Sequence, residues 1–227
     1  KRATIVASEW TAGMDLAVFA SGLGIPKGLE VGRQREAVRR LVLHLQDAFT
    51  AIETARMPVI AAIQGGCIGG GVDLVCACDI RVCTEDAYFV IQETNLGMVA
   101  DVGTLQRMPK LVPSGIVREL AYTGRKLGAA RAEKIGFVNE VHADAAATLA
   151  AAQAMAKEIA SKSPLTIAGT KDALVFARDH GVPESLHYMA AWQSGMFQDA
   201  DVMEAMRARV EKREPVFPPL APGDSSL

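Results

Sequence analysis

The sequence predicts an α/β fold with a helical C-terminal third. Three observations predict it. Short, fully apolar runs of strand length, such as residues 59–63, alternate with segments whose apolar residues recur every three or four positions. Half of the 227 residues are apolar and 22% are charged, which is enough to build one substantial core. Beyond about residue 143 the strand-like runs stop and helical patterns follow one another.

Taken in order, residues 3–7 read as a buried strand, followed by a turn at 11–15. Gly22, Gly24, Pro26 and Gly28 mark a loop. From 33 to 56 the spacing of Val38, Leu41, Leu45, Phe49 and Ile52 predicts a helix with one buried stripe, ended by Met57-Pro58. Residues 59–63 are a fully apolar strand. A glycine-rich stretch, 65–73, leads into a short helix to about residue 77. Residues 80–83 and 88–91 read as strands, 104–111 and 114–122 as helices, and 137–141 as a further strand. The alanine-rich 144–161 is helical. Ser163-Pro164 is a helix start, with a capping serine and proline at the first helical position. That helix runs to about 179, and 183–196 and 199–213 are two more. The proline-rich tail from Glu214 is expected to be loose. The organisation is one core domain, residues 1–142, with a helical extension, residues 143–227, expected to serve oligomerisation and to cover the site. The chain opens on Lys1, inside an apolar run, so a leading portion is expected to be missing.

The composition excludes several roles. A net charge of −2 gives no pointer to a surface for nucleic acid or an anionic membrane. No apolar run is long enough to span a bilayer. Cys67, Cys76, Cys78 and Cys83 fall in one apolar region, with no CxxC pair and no nearby histidine. They are expected to be buried free thiols, and no metal site is expected. His44, His142, His180 and His187 are scattered.

The chemistry-bearing residues lie between positions 65 and 101. Gly69, Gly70 and Gly71 sit between a buried strand and a helix. Glycine there allows a sharp turn and close approach of a ligand to main-chain N–H groups, beside the partial positive charge of a helix N-terminus. A tight turn without a ligand is an equally good reading of the glycines alone. They are neither a dinucleotide fingerprint nor a P-loop. Asp73 follows in the first turn of the helix, Glu93 follows the 88–91 strand, and Asp101 lies in Met98-Val-Ala-Asp-Val-Gly103. Each alone has an ordinary structural reading; an Asp before Gly-Thr caps helices. In apolar surroundings, however, carboxylates must be paired, hydrogen-bonded or protonated.

The run Pro58-Val-Ile-Ala-Ala-Ile-Gln-Gly-Gly-Cys-Ile-Gly-Gly-Gly-Val-Asp-Leu-Val-Cys-Ala-Cys-Asp-Ile-Arg81 closely resembles the signature of the enoyl-CoA hydratase/isomerase (crotonase) family. Thr11-Ala-Gly-Met-Asp-Leu16 looks like the family's earlier turn, and the likeness extends through Lys162-Ser-Pro164 into the C-terminal helices. It implies a crotonase-type spiral of repeated ββα units, assembled as a homotrimer or homohexamer. It implies an acyl-CoA thioester substrate, coenzyme A being part of that substrate and no separate cofactor being needed. The thioester oxygen would sit in an oxyanion hole made by the N–H groups of Met14 and Gly70. Gly13, Met14, Asp15, Leu16, Ala17 and Gly71 would line the acyl-CoA path. The family also has a leading strand pair and helix ahead of the position of Lys1, and a longer link between Ser8 and Thr11.

Within the family, hydratases carry two glutamates at the positions of Asp73 and Glu93, and tend to have glycine at that of Asp101. The set Gly-Val-Asp73, Glu93 and Ala-Asp101-Val-Gly-Thr-Leu-Gln-Arg107 resembles the Δ3,5-Δ2,4-dienoyl-CoA isomerase branch, as does Arg178 to Trp192. The resemblance implies a double-bond shift in fatty acid β-oxidation. Glu93 would work at C2 and Asp101 at C6, with Asp73 as a supporting polar group. A 2-enoyl-CoA hydratase, or a non-catalytic or RNA-binding crotonase-like protein, are the alternatives. Mitochondrion and peroxisome are the favoured compartments, and Ser225-Ser-Leu227 only loosely resembles a peroxisomal signal.

Overall fold

The computed structural model describes residues 4–7, 11, 13, 15, 17–18, 21–26 and 28–220. In chain order the elements are β1 (Thr4–Ala7), α1 (Val31–Thr54), β2 (Val59–Ile63), β3 (Gly66–Ile68), α2 (Gly70–Ala77), β4 (Ile80–Thr84) and β5 (Tyr88–Val90). A 3-10 turn (Glu93–Leu96), α3 (Thr104–Arg107) and a second 3-10 turn (Met108–Lys110) follow. Then come α4 (Ser114–Thr123), β6 (Leu127–Gly128), α5 (Ala129–Lys134) and β7 (Glu140–His142). The chain ends in α6 (Ala145–Ala160), α7 (Pro164–Asp179), α8 (Val182–Met196) and α9 (Asp199–Glu211).

The strands build two sheets, of order β1-β2-β4-β7 and β3-β5-β6. β2, β4 and β7 are parallel, with Ile60 beside Ile80 and Val82 beside Glu140. β3 is parallel to β5, and β6 pairs antiparallel with β5. Successive strands alternate between the sheets: β2 and β4 in one, β3 and β5 in the other, with α2 after the first pair. This is the ββα spiral in its local form. β2 is buried at every position, as a strand covered on both faces must be, which is why it reads as an uninterrupted apolar run. Phe89 and Phe137 meet edge to face at 5.0 Å in the core.

Arg81 is the notable polar group of that core. It is buried, and its guanidinium donates to the carbonyls of Phe137 (2.6 Å), Cys78 (2.7 Å) and Val75 (3.1 Å). It therefore ties β4 to the end of α2 and to the turn before β7.

By contact, the described residues fall into two compact units. One comprises residues 6–53 and 59–152; the other comprises 4–5, 54–58 and 153–220. In the second unit the Ser163 hydroxyl caps α7 by accepting from the Thr166 amide at 3.3 Å, as its sequence predicts. Gly169 admits the Trp192 ring so closely that a β-carbon there would lie 2.2 Å from it. Lys171, buried, donates to the Met57 carbonyl at 3.2 Å.

Four expectations need correction. β3, β6, α5 and the turn at Glu93–Leu96 are absent from the sequence reading, because each is short and is formed by pairing or packing rather than by its own propensity. The strand expected at 137–141 forms at Glu140–His142, while Phe137 and Val138 enter the core ahead of it. The stripe of α1 is only partly covered: no residue of that helix is buried, and Val38 is 38% exposed. The tail is not loose over residues 214–217. Phe217 is buried, and the Val216 amide donates to Glu204 Oε1 at 2.8 Å. Ala3 and Ser225 to Leu227 lie outside the described residues.

Candidate active site

The site is assembled around the glycine segment. Thr11 and Gly13 pack against it: the Ile68 amide donates to the Thr11 carbonyl at 3.3 Å, and the Gly13 amide donates to Thr11 Oγ1 at 3.0 Å. Gly13 has φ +90°, and a β-carbon there would lie 3.1 Å from the Ile68 carbonyl oxygen, so the close approach needs glycine. Asp15 is exposed and its Oδ1 accepts the Ala17 amide at 2.9 Å, at the start of a helical turn; Ala17 is exposed. Met14 and Leu16 lie outside the described residues.

Gly69 (φ +54°) donates to the Val90 carbonyl at 2.9 Å, joining the two strand ends. A β-carbon on Gly69 would lie 3.2 Å from Glu93 Oε1, so the Glu93 carboxyl stands over the start of α2. Gly71 faces Thr11: a β-carbon there would be 2.7 Å from the threonine methyl. Gly70 opens α2 and has nothing within 4 Å of where a β-carbon would stand. Its amide has no acceptor inside the helix, as for every first-turn amide, and it points from the positive end of the helix dipole.

The three carboxylates occupy different environments. Asp73 has no exposed surface; its Oδ1 accepts the Thr104 amide at 2.6 Å, while Oδ2 is buried without a partner, as is Thr104 Oγ1. Burial pushes its pKa up, hydrogen bonding from Thr104 pulls it back, and the charge of Asp101 pushes it up again. Glu93, at the start of the 3-10 turn, is half-buried. Burial raises its pKa against the pull of backbone hydrogen bonds, and the charges of Asp73 and Asp101 raise it further. Asp101 is exposed, and its charge acts on both of the others. It does not cap α3. The cap position is Gly103, with no side-chain bond, and the free amide at the helix start is taken by Asp73 from a distant part of the chain.

Chemically, this is a set of three like-charged acids within electrostatic reach, two of them accessible. Burial and like charge raise the pKa of two of them, Asp73 and Glu93, so these two hold a proton to higher pH than isolated carboxyls do. The arrangement suits proton removal at one point and proton return at another. Among the described residues no three His, Cys, Asp or Glu side chains gather as a metal site would require. The four cysteines are buried and form no disulfide, and burial pushes the thiols of Cys76 and Cys83 to about 12, which leaves them poor nucleophiles.

Residues 11–219 match the enoyl-CoA hydratase/isomerase family. The chain belongs to that family. It is 48% identical over 94% of its length to the mitochondrial Delta(3,5)-Delta(2,4)-dienoyl-CoA isomerase of Mus musculus, and the match covers 66% of that protein. It is 43% identical over 92% of its length to the peroxisomal Delta(3,5)-Delta(2,4)-dienoyl-CoA isomerase of Arabidopsis thaliana, covering 76% of it. The chain thus spans just under two thirds of the length of the mouse protein. Among solved structures, the enoyl-CoA hydratase of Bacillus anthracis superposes with a TM-score of 0.82 at 31% identity, over 94% of this chain and 81% of that one. This enoyl-CoA hydratase/isomerase family member therefore has the fold of its relatives, and the glycine segment lies within the matched region.

Sequence reasoning passed over a second ring of residues. Gln46 Nε2 donates to the Asp101 carbonyl at 2.6 Å. Arg107 donates through Nε and Nη2 to Glu53 (3.2 and 3.4 Å) and through Nη2 to Thr50 Oγ1 (3.0 Å). The signal was present: Gln46, Thr50 and Glu53 recur at steps of four and three, a polar stripe along one flank of α1.

Proposed function

We propose that this chain carries the catalytic machinery of a Δ3,5-Δ2,4-dienoyl-CoA isomerase. Its substrates are 3,5-dienoyl-CoA thioesters of fatty acid β-oxidation and its products the conjugated 2,4-dienoyl-CoA. The observation that carries the reading is Asp101, a carboxylate whose charge reaches both Glu93 and Asp73. A hydratase has one carbon pair to serve, whereas a diene shift has two distant carbons, C2 and C6.

Glu93 takes a proton from C2, next to the thioester. The electron pair left behind spreads over the diene and onto the thioester oxygen, held by the amides of Met14 and Gly70; each such donor is worth roughly 3–4 kcal/mol. Asp101 delivers a proton to C6. The double bonds move from C3–C4 and C5–C6 to C2–C3 and C4–C5, and no atom is gained or lost. Each acid or base contributes roughly 10²–10⁴-fold. Asp73, sealed from solvent, acts as a supporting polar group through Thr104. Gly13, Asp15, Leu16, Ala17 and Gly71 line the acyl-CoA path. The scheme uses no cofactor beyond the coenzyme A of the substrate.

The assembly proposed is a homotrimer or homohexamer. Supporting it, the second unit leaves large apolar side chains uncovered, including Leu186 (65% exposed) and Phe197 (52% exposed). A mitochondrial or peroxisomal location is supported by the names of the mouse and Arabidopsis relatives. The reading is tested by assaying 3,5-octadienoyl-CoA isomerisation beside crotonyl-CoA hydration. Isomerisation is expected to be the faster by a wide margin; predominant hydration would overturn it.

A further inference from the structure

Residues 101–107 carry one proposed acid and are held at three points, none of which is local. At one end the Asp101 carbonyl accepts from Gln46 Nε2 at 2.6 Å. In the middle the Thr104 amide donates to the buried carboxylate of Asp73 at 2.6 Å. At the other end Arg107 forks onto Glu53 and Thr50, with both ion-pair side chains only 12% exposed. Arg107 also folds back toward its own segment, Nη1 lying 3.5 Å from the Val102 carbonyl. Gly103 makes that fold possible. Its φ is +142°, a conformation that strains any other residue, and a β-carbon there would push the Arg107 guanidinium aside.

Two of the three anchors come from one flank of α1, a helix with no fully buried residue. Gln46, Thr50 and Glu53 are spaced to face one way. Their partners lie 54 to 57 positions on in the chain. A flexible acid at the exposed position of Asp101 would sample many orientations, and one held by its own main chain samples few. Proton return to C6 needs the acid within hydrogen-bond reach of one carbon, and a misplacement of about 1 Å costs on the order of 10²-fold in rate.

We infer that Gln46 and the Arg107–Glu53 pair are positioning residues, which set the height of Asp101 over C6 by clamping residues 101–107 to α1. The inference rests on the isomerase reading above and deepens it. The clamp acts on Asp101 and not on Glu93, whose place is set by Gly69 and its own 3-10 turn. It therefore affects proton return at C6 and spares proton removal at C2. Arginine is required at 107 because a lysine ammonium cannot bond Glu53 and Thr50 while also facing the Val102 carbonyl.

The test compares two rates in D2O: isomerisation of 3,5-octadienoyl-CoA, and exchange of its C2 hydrogens with solvent, which needs Glu93 and the oxyanion donors alone. The variants are Gln46→Met, which keeps the volume and loses the donor, and Arg107→Lys, each also combined with Asp101→Asn. Isomerisation is expected to fall about 10-fold for Gln46→Met and on the order of 10²-fold for Arg107→Lys. C2 exchange should stay within about twofold of wild type, and KM should change little. Placed on Asp101→Asn, neither change should cost anything more, because residues acting as one unit are not additive. Equal losses of exchange and isomerisation, or full additivity with Asp101→Asn, would overturn the inference. Gln46→Met keeps the test open if Arg107→Lys folds poorly. A wild type that neither exchanges C2 nor isomerises the diene would overturn the functional reading, and the clamp with it.

Discussion

Asp73 is sealed from solvent and Asp101 is exposed, and their expected behaviour differs accordingly. Replacing Asp101 with Asn keeps size and removes the titratable proton. Diene turnover should fall by ~10²-fold or more, the typical loss for a general acid. Affinity for the acyl-CoA thioester and the melting temperature should hold, since α3 is capped at Gly103 and not by this side chain. A folded Asp101→Asn protein with near-normal turnover would remove Asp101 from the reaction and favour hydration. Asp73 makes a prediction about stability. Burial raises its folded pKa above the unfolded value. Between those two pKa values the folded state binds more protons than the unfolded one, so its stabilising contribution is complete at low pH and is lost as pH rises through the folded pKa. Asp73→Asn keeps an acceptor for the Thr104 amide but cannot ionise. Urea midpoints followed from acid to neutral pH should fall more, or rise less, in the wild type than in the variant across that window, because Glu119 and Glu204, with lowered pKa values, act in the opposite sense in both. The difference between the two curves is the Asp73 share, and parallel curves would refute the assignment.

At the scale of elements, the site depends on joints between pieces distant in sequence. α2 starts at the glycines because Gly69 bonds back to Val90, and it ends where Arg81 of β4 gathers the carbonyls of Val75 and Cys78. Arg81→Met would keep most of the packing and remove the one donor shared by the carbonyls of Phe137, Val75 and Cys78. Each buried unpaired polar group costs about 1–3 kcal/mol, so a loss of roughly 3 kcal/mol or more is expected. A chemical denaturation curve would read it directly, and a loss under about 1 kcal/mol would mean that water or neighbouring amides replace the guanidinium. The strand β3 has only three residues, each with a glycine neighbour, and exists through its parallel pairing with β5. Its placement lets Gly13 and Gly69 approach, and with them the two main-chain segments that would hold the thioester oxygen.

For the whole molecule, the question is what covers the second unit. Leu174, Leu186, Phe197, Met203, Met206 and Val210 are exposed there, together with an apolar cleft of about 620 Å³ lined by Leu165, Met189, Trp192 and Phe197. Exposed apolar surface of this kind is what subunit interfaces cover. Sedimentation or light scattering at micromolar concentration should return three or six times the chain mass, and a clean single-chain mass would refute the proposed assembly.

The glycine signature, the strand–helix order and the spacing of Asp73, Glu93 and Asp101 were legible in the amino-acid sequence. Each is written in local pattern: an apolar run of strand length, a threefold-fourfold helical period, or a motif whose residues adjoin. The C-terminal helices were legible for the same reason, down to the Ser163 cap. Tertiary structure alone decided the rest. It decided that Asp73 is sealed and holds Thr104, that Asp101 is open and caps nothing, and that the flank of α1 grips residues 101–107. Those facts depend on which surfaces meet across more than fifty positions of chain. Burial and hydrogen-bond partners are properties of that meeting, so no local pattern carries them: the same aspartate reads as a cap, a base or a strut until its neighbours are in place.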